Sequence, residues 1–451
     1  MWKVITSTVR FKPSSAAISL CALLVVAQFA GGASRADALG QAIVRAAAWG
    51  GLIVAVLFGS RDIRAGNPAV LFLAAAACLP LAQLIPLPPS LWMALPGREL
   101  ITHAATVSVE AQPWRPWTIV PAATLNALSS LIVPAATLWL TLSLNEAEHE
   151  RLPGLLLSLV VASTLVSLVQ VSYFTFNNPF INETPQTVSG TFANRNHFAL
   201  HLAIGCAIAS TWAFGFRHAH PSRAIVGFAF VLLFMLAILV SGSRAGLLLG
   251  IVGLMVSFSL NATNFKESFT QYPRWAFPAL VAGVLVIVIS LVLVSIAAGR
   301  AISVDRLFMS DPGQDMRMRS FTTVQSMLVE YFPFGAGLGG FDNIFRIHEP
   351  FHLLKPTYFN HAHNDLLEIA IDTGLPGILL LLAAMCWWGW ATIWAWKSDS
   401  NSQATLAKLG STILLLIFLA STVDYPARTP TIMAWAAIAA AWLSGHSKRS
   451  A

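Results

Sequence analysis

Apolar residues fill this chain in long blocks broken by short polar turns, and the pattern repeats almost from end to end. A helix crosses about 30 Å of hydrocarbon with about 20 apolar residues. Runs of that kind fall near residues 15–33, 38–58, 68–88, 122–143, 152–175, 191–215, 222–241, 243–261, 275–297, 376–396, 407–424 and 427–444. The pattern predicts an all-α polytopic membrane protein with about twelve transmembrane helices. Only the Ser241-Gly242-Ser243-Arg244 turn separates the seventh block from the eighth. One interval breaks the rhythm: residues 298–377 are polar, running from Gly299 and Arg300 to Gly374-Leu375-Pro376-Gly377. Within it, 298–362 reads as a long loop carrying a short helix at Phe321 to Tyr331. Loops of that length without repeats are usually functional.

Composition agrees with solvation by lipid. The chain is 56% hydrophobic and 10% charged, where a soluble domain carries about 25% charged residues. Cys21, Cys78, Cys206 and Cys386 all fall in apolar runs, so no disulfide framework is implied. A net charge of +7 would point to nucleic acid in a soluble protein; here it reflects loop bias, and no nucleic-acid partner is expected. Residues 1–33 resemble a signal sequence, with Lys3, Arg10 and Lys12 ahead of Ile18 to Ala30, and read better as an uncleaved first helix. With the N-terminus inside, fourteen Lys and Arg fall on inner segments, whereas the short outer connections hold only Arg35, Arg195, Arg244 and Arg428. This positive-inside bias puts both termini in the cytoplasm and the 89–121, 176–196 and 298–362 segments on the outer face. The whole of 1–451 then forms one membrane domain with an outer cap. Arg45, inside the second block, is the exception among charges that otherwise cluster outside.

Four constellations on the outer face carry candidate chemistry. In Gly190-Thr191-Phe192-Ala193-Asn194-Arg195-Asn196-His197, Asn194 and Thr191 can cap a helix. Arg195 beside a helix N-terminus suits phosphate, although an interfacial anchor is the plain alternative. His197 and His201 share a helical face, but a packed pair is expected over a metal site. In Ser241-Gly242-Ser243-Arg244-Ala245-Gly246, Arg244 has no acid nearby in sequence, which favours an exogenous anion over an internal salt bridge, with anchoring in the headgroup zone as the plain alternative. In the long loop, Arg317 and Arg319 precede the glycine turn Pro333 to Phe341. Its Gly335, Gly337 and Gly340 lack the strand of a dinucleotide site and suit close approach to a ligand or a helix. Finally, His361-Ala362-His363-Asn364-Asp365 offers a histidine as proton acceptor, with Asn364 or Asp365 fixing its tautomer. A zinc site using His348 or His352 as third ligand is the weaker reading of the same pair.

The ordered set of motifs resembles the O-antigen ligase and polymerase superfamily of bacterial envelope membrane proteins. It comprises N-R-N-H-F-A at 194–199, S-G-S-R-A-G at 241–246, R-x-R at 317–319, P-F-G-A-G-L-G-G-F at 333–341 and H-N-D-L-L-E-I-A-I-D-T-G-L-P-G at 363–377. The best-matched part is about 185–380, and PWTIVPAA at 116–123 adds to it. The resemblance implies a GT-C-like, metal-independent inverting glycosyltransferase of the inner membrane with its active site facing the periplasm. It implies no cofactor. The donor would be a glycan on undecaprenyl pyrophosphate, and the acceptor lipid A-core or another glycan, with membrane lipids around it. By position, Arg195 and Arg244 take the pyrophosphate and His363 takes the base role. Arg317 or Arg319 matches a further family arginine; Asn194, His361 and Asn364 are expected to bind substrate. His361 is an extra histidine beside the family position. Ligase and polymerase share this chemistry, and transfer to a protein is a third variant. The rival from another class, a transporter or flippase, predicts related halves and charged or broken helices at mid-membrane.

Overall fold

The computed structural model describes residues 12–58, 66–109, 111–171, 178–181, 187–215, 222–269, 316–354, 359–398 and 401–447, with Trp275 and Val286 beside them. These residues are mostly helical. The helices are α1 (Ser15–Ala30), α2 (Leu39–Phe58), α3 (Pro68–Gln83), α4 (Pro89–Met93), α5 (Glu99–Val107), α6 (Pro121–Ser130), α7 (Ile132–Leu142) and α8 (Glu146–Val171). They continue with α9 (Arg195–Phe214), α10 (Ser222–Ser241), α11 (Arg244–Phe269), α12 (Met316–Tyr331), α13 (Phe341–His348), α14 (Asp365–Lys397), α15 (Ser402–Ser421) and α16 (Pro430–Ser447). Two short antiparallel strands, β1 (Pro86–Leu87) and β2 (Arg115–Pro116), close the loop that carries α4 and α5.

Among the described residues, seven helices are long and apolar enough to cross a membrane: α2, α6 with α7, α8, α9, α10, α14 and α15. Four shorter apolar helices, α1, α3, the first part of α11 and α16, fall on further expected blocks. The block at 275–297 and the loop residues 298–315 lie outside the described residues, apart from Val286. The bundle ends begin where side chains satisfy the orphan N–H groups of a helix start. Ser14 accepts from Ala17 N–H, Asn67 from Ala69 ahead of Pro68, Asn194 from Asn196 and Asn401 from Ala404. Buried Leu20, Leu23, Leu24 and Ala27 give α1 an i, i+3, i+4, i+7 stripe that packs on α2 and α7. By contrast, α9 is apolar on all sides and buried on nearly all, enclosed by α8, α10, α11 and α15. Such a helix belongs at the centre.

Several boundaries differ from the sequence expectation. The block at 122–143 is two helices meeting at Leu131. The short loop helix starts at Met316 rather than Phe321, so Arg317 and Arg319 lie on it. The block expected at 376–396 starts eleven residues earlier, at Asp365 (376 − 365), and is broken at Gly374 (φ 60°, ψ −146°). The break has a partner. The glycine turn lies against it, with Ala336 N–H donating to the Ile371 carbonyl at 2.9 Å, Gly337 N–H to Asp372 at 2.8 Å and Leu375 N–H to Pro333 at 2.8 Å. A Cβ on Gly374 would stand 2.0 Å from the Pro333 oxygen. The glycines therefore serve approach to another helix, the second of the two uses expected for them. Replacing Gly374 with alanine is expected to cost roughly 1–3 kcal/mol, read as a lower unfolding temperature of the detergent-purified protein.

Above this clasp, α12, α13 and the Phe351–Leu353 turn enclose an apolar core of Val324, Met327, Phe341, Ile344, Phe345 and Phe359 that continues to Ile371 of α14. Arg98, fully buried, ties the 89–121 loop into it by donating to the carbonyls of Pro96, Trp117 and Gly335. Burial pushes its pKa down to about 10. The cap thus sits over the bundle end where α1, α3, α8, α10 and α15 finish and α2, α6, α9, α11, α14 and α16 begin.

Candidate active site

Asp424 gathers the site. It lies in the Thr422–Thr429 connection between α15 and α16 and is 2% exposed. Its Oδ2 accepts from Asn196 Nδ2 at 2.6 Å, Asn194 Nδ2 at 3.2 Å and Arg317 Nη2 at 3.3 Å. Its Oδ1 accepts from His363 Nδ1 at 3.1 Å, with His197 Nε2 at 3.8 Å. Burial alone would raise its pKa, but the hydrogen bonds and charge of His197 and His363 hold it well below the usual carboxylate range. Asp424 is therefore an anion, an acceptor only, so the His363 proton it receives must sit on Nδ1. In the neutral form of the ring, Nε2 is then the acceptor nitrogen. The expectation that Asn364 or Asp365 fixes this tautomer is corrected. Asn364 instead caps α14 through Leu367 N–H and donates to the Thr422 carbonyl, while Asp365 faces Arg428 and Ser421.

The backbone of His363 is itself unusual, at φ 52°. Few residues without glycine's freedom stay in that region unless their surroundings hold them there. Here the ring is held by Asp424 and packs against Phe359 and Tyr425, with centroids at 5.2 and 4.9 Å. Tyr425 also packs on His361 at 4.2 Å and His197 at 5.0 Å. His361 forms a second histidine–carboxylate pair: its Nδ1 donates to Glu368 Oε1 at 2.9 Å, and Ala362 N–H donates to the other oxygen at 2.8 Å.

Arg428 lies behind that second pair, its side chain 17% exposed. It meets Glu368 at 3.1 Å, Asp365 at 3.2 Å and Asp372 at 3.8 Å. Although burial works against its charge, the three carboxylates hold its proton above the ordinary arginine value. Asp372 Oδ2 also receives Gly339 N–H at 3.0 Å, so the cluster is joined to the glycine turn.

Each expected site residue now has a place. Asn194 caps α9, and Arg195 is the first residue of that helix; Arg244 is the first residue of α11. Ser243 Oγ donates to Asn196 Oδ1 at 2.9 Å, bringing the two helix starts together. The positive ends of two helix dipoles and two guanidinium-bearing residues thus share one corner. Arg317 and Arg319 point different ways: Arg317 reaches the Val423 carbonyl at 2.8 Å and Asp424, whereas Arg319 donates to the His352 carbonyl in the cap. Thr191, expected as a cap, instead bonds Gln28 and Ser163. His201 packs between Phe192 and Trp435, and so parts from His197, which faces Asp424. His348 is engaged by Tyr331 at 2.8 Å, with Glu330 on its other nitrogen. Asp424, Tyr425, Glu368 and Arg428 were not singled out as site residues from sequence. The signal that could have found them is an acid and an arginine in a short turn between two apolar blocks, on the same face as the histidines.

Comparison with known proteins bears on what this arrangement serves. Residues 228–382 match the family model described as O-antigen ligase. Over that segment the chain is O-antigen ligase-like. The family acts in polysaccharide assembly, and its members are glycosyltransferase-like enzymes that work with lipid-linked glycans and acceptors in general. No curated protein matches the chain. The matched segment runs from α10 to the middle of α14 and includes Arg244, Arg317, His361 and His363. It stops short of the Asp424 connection, and α9 with Asn194 and Arg195 precedes it. The candidate site therefore draws on residues from both sides of the matched segment.

Proposed function

We propose that this protein transfers a glycan from undecaprenyl pyrophosphate to an acceptor hydroxyl, as an inverting, metal-independent glycosyltransferase of the inner membrane with its site on the periplasmic face. The twelve-span, GT-C-like reading of the bundle belongs to the same proposal. The observation that carries it is the shared carboxylate: Asp424 holds His363 on one oxygen and Arg317, Asn194 and Asn196 on the other. This joins the base to the corner where Arg195 and Arg244 start their helices.

The chemistry asks little more. Nε2 of His363 takes the proton of the acceptor hydroxyl as its oxygen bonds the anomeric carbon from the face opposite the leaving group. The bond from that carbon to the phosphate oxygen breaks, and undecaprenyl pyrophosphate leaves with the electron pair. Guanidinium groups of Arg195, Arg244 and Arg317 stabilise the charge that builds there, and two helix N-termini add to them. Asp424 stabilises the imidazolium until it releases its proton to solvent. His361 with Glu368 and the cap residue Asn364 line the acceptor side, with the loop beyond α12 as its lid.

The test is transfer by purified protein supplied with lipid-linked glycan and each candidate acceptor. Product length and attachment separate a lipid A-core conjugate, a lengthened lipid-linked polymer and a glycoprotein. Arg195→Ala and Arg244→Ala are each expected to lower transfer by about 10²-fold or more, with lipid-linked glycan accumulating in cells. Normal transfer by both variants would refute the pyrophosphate assignment.

A further inference from the structure

The transfer site leaves Arg45, a charge inside the apolar helix α2, without a role. Arg45 lies six residues after Leu39, the first residue of α2 (45 − 39), roughly 9 Å into the helix at 1.5 Å per residue. A charge at such depth is expensive unless a partner meets it, and so marks a functional position. Its Nη1 donates to Asn126 Oδ1 at 2.8 Å and its Nη2 to Gln41 Oε1 at 3.3 Å. Both partners are neutral amides. The Nε atom is buried without a hydrogen-bond partner, and Arg45 makes no ion pair among the described residues. The guanidinium is oriented, yet its charge is unanswered.

Arg45 stands at one end of a groove of about 540 Å³ between α2, α3, α6 and α7. Trp49, Val70, Leu73, Ala77, Ile132 and Leu138 line the rest, and the walls are overwhelmingly apolar. Gln41 belongs to the site-end half of α2 and Asn126 to that of the span formed by α6 and α7, whereas Val70 and Leu138 lie toward the opposite end. The charge therefore sits near the cap, and the apolar length runs from it into the bilayer. Trp49, 58% exposed, leaves the groove open sideways to lipid. Charge above and hydrocarbon below match one amphiphile standing in the leaflet.

We propose that this groove binds an anionic phospholipid, its phosphodiester on Arg45 and one acyl chain along α3 and α7. Charge selects this occupant. A phosphodiester carries one negative charge and meets one fixed guanidinium, while the multiply charged pyrophosphate belongs to the corner with several arginines. Size agrees, because a volume of about 540 Å³ is that of a small-ligand pocket. The groove also borders the machinery: Gly339 of the glycine turn rests on Ala123 and Ala127, next to Asn126 on α6. Bound lipid would brace the helix on which that turn lies.

Thermal unfolding of the full-length protein in detergent, with added phosphatidylglycerol or phosphatidylcholine, tests this, with bound lipid counted by native mass spectrometry. Phosphatidylglycerol is expected to raise the unfolding temperature more than phosphatidylcholine and to co-purify with the protein. Arg45→Gln is expected to weaken its binding about tenfold or more, the scale of a lost charge-assisted hydrogen bond. Ala74→Trp, on the exposed side of the groove wall, should abolish the effect without changing charge. His363→Ala should leave it intact, which separates this site from transfer. Equal responses to the two lipids, unchanged binding in Arg45→Gln, or displacement of the bound lipid by polyprenyl diphosphate but not by phosphatidylglycerol would each overturn the proposal. The comparison of the two lipids on the unaltered protein decides the matter even where a variant fails to accumulate.

Discussion

His363→Ala is expected to slow glycan transfer by about 10²–10⁴-fold, the usual worth of a positioned general base, with the protein still inserted and its unfolding temperature little changed. Asp424→Asn should fall in the same range, because an amide can present a donor to Nδ1 and reverse the tautomer that leaves Nε2 free. The two groups act as one unit, so the double variant should be scarcely slower than the worse single one. A purely structural role for Asp424 predicts a different result: the losses of the two single variants add in the double variant. The pH dependence of stability has a definite sign. Asp424 has a depressed folded pKa, so the stability it contributes is fully present above its unfolded value of about 3.9 and is lost as the pH falls toward the folded value. Loss of activity at about pH 5 or above therefore has a source other than protonation of this carboxylate.

The second large effect concerns folding rather than chemistry. Arg428→Ala is expected to destabilise the protein by about 3–5 kcal/mol, because it leaves Asp365, Glu368 and Asp372 buried together without their cation. Arg428→Lys should recover only part of that, since an ammonium lacks the planar fork that reaches several carboxylates at once. The measurements are yield in the membrane fraction and unfolding temperature after purification. A well-folded, fully stable Arg428→Ala protein would show that the three acids are neutralised in some other way.

Much of the bundle was legible because lipid solvation leaves a plain signature. The seven long apolar helices lie on expected blocks, and the Asn194 cap and the glycine turn's use as a helix contact were readable from local chemistry. The start of α12 was not readable, and this left Arg317 and Arg319 unresolved. Two residues apart on a helix are about 200° apart around its axis, so a helix beginning at Met316 forces one toward Asp424 and the other toward the cap. The break at Gly374 was hidden for a related reason: the nine residues from Asp365 to Thr373 are helical but polar on the buried side, held by Arg428 and the glycine turn instead of by lipid. Asp424 was missed because a carboxylate 61 positions beyond His363 leaves no local pattern to read. A demand for charge balance would have found it, since three histidines and an arginine on one face need an acid.

The position of Asp424 after the loop histidines also sets the order in which the candidate site can be assembled. Translation delivers Asn194, Arg195, Arg244 and both loop histidines first, and the carboxylate that joins them emerges only with the turn before the last helix. Until that final hairpin is inserted, His363 has no acid to orient it, and Asn194 and Asn196 have no common acceptor. Insertion of α15 and α16 brings the Asp424 carboxylate to the residues it joins.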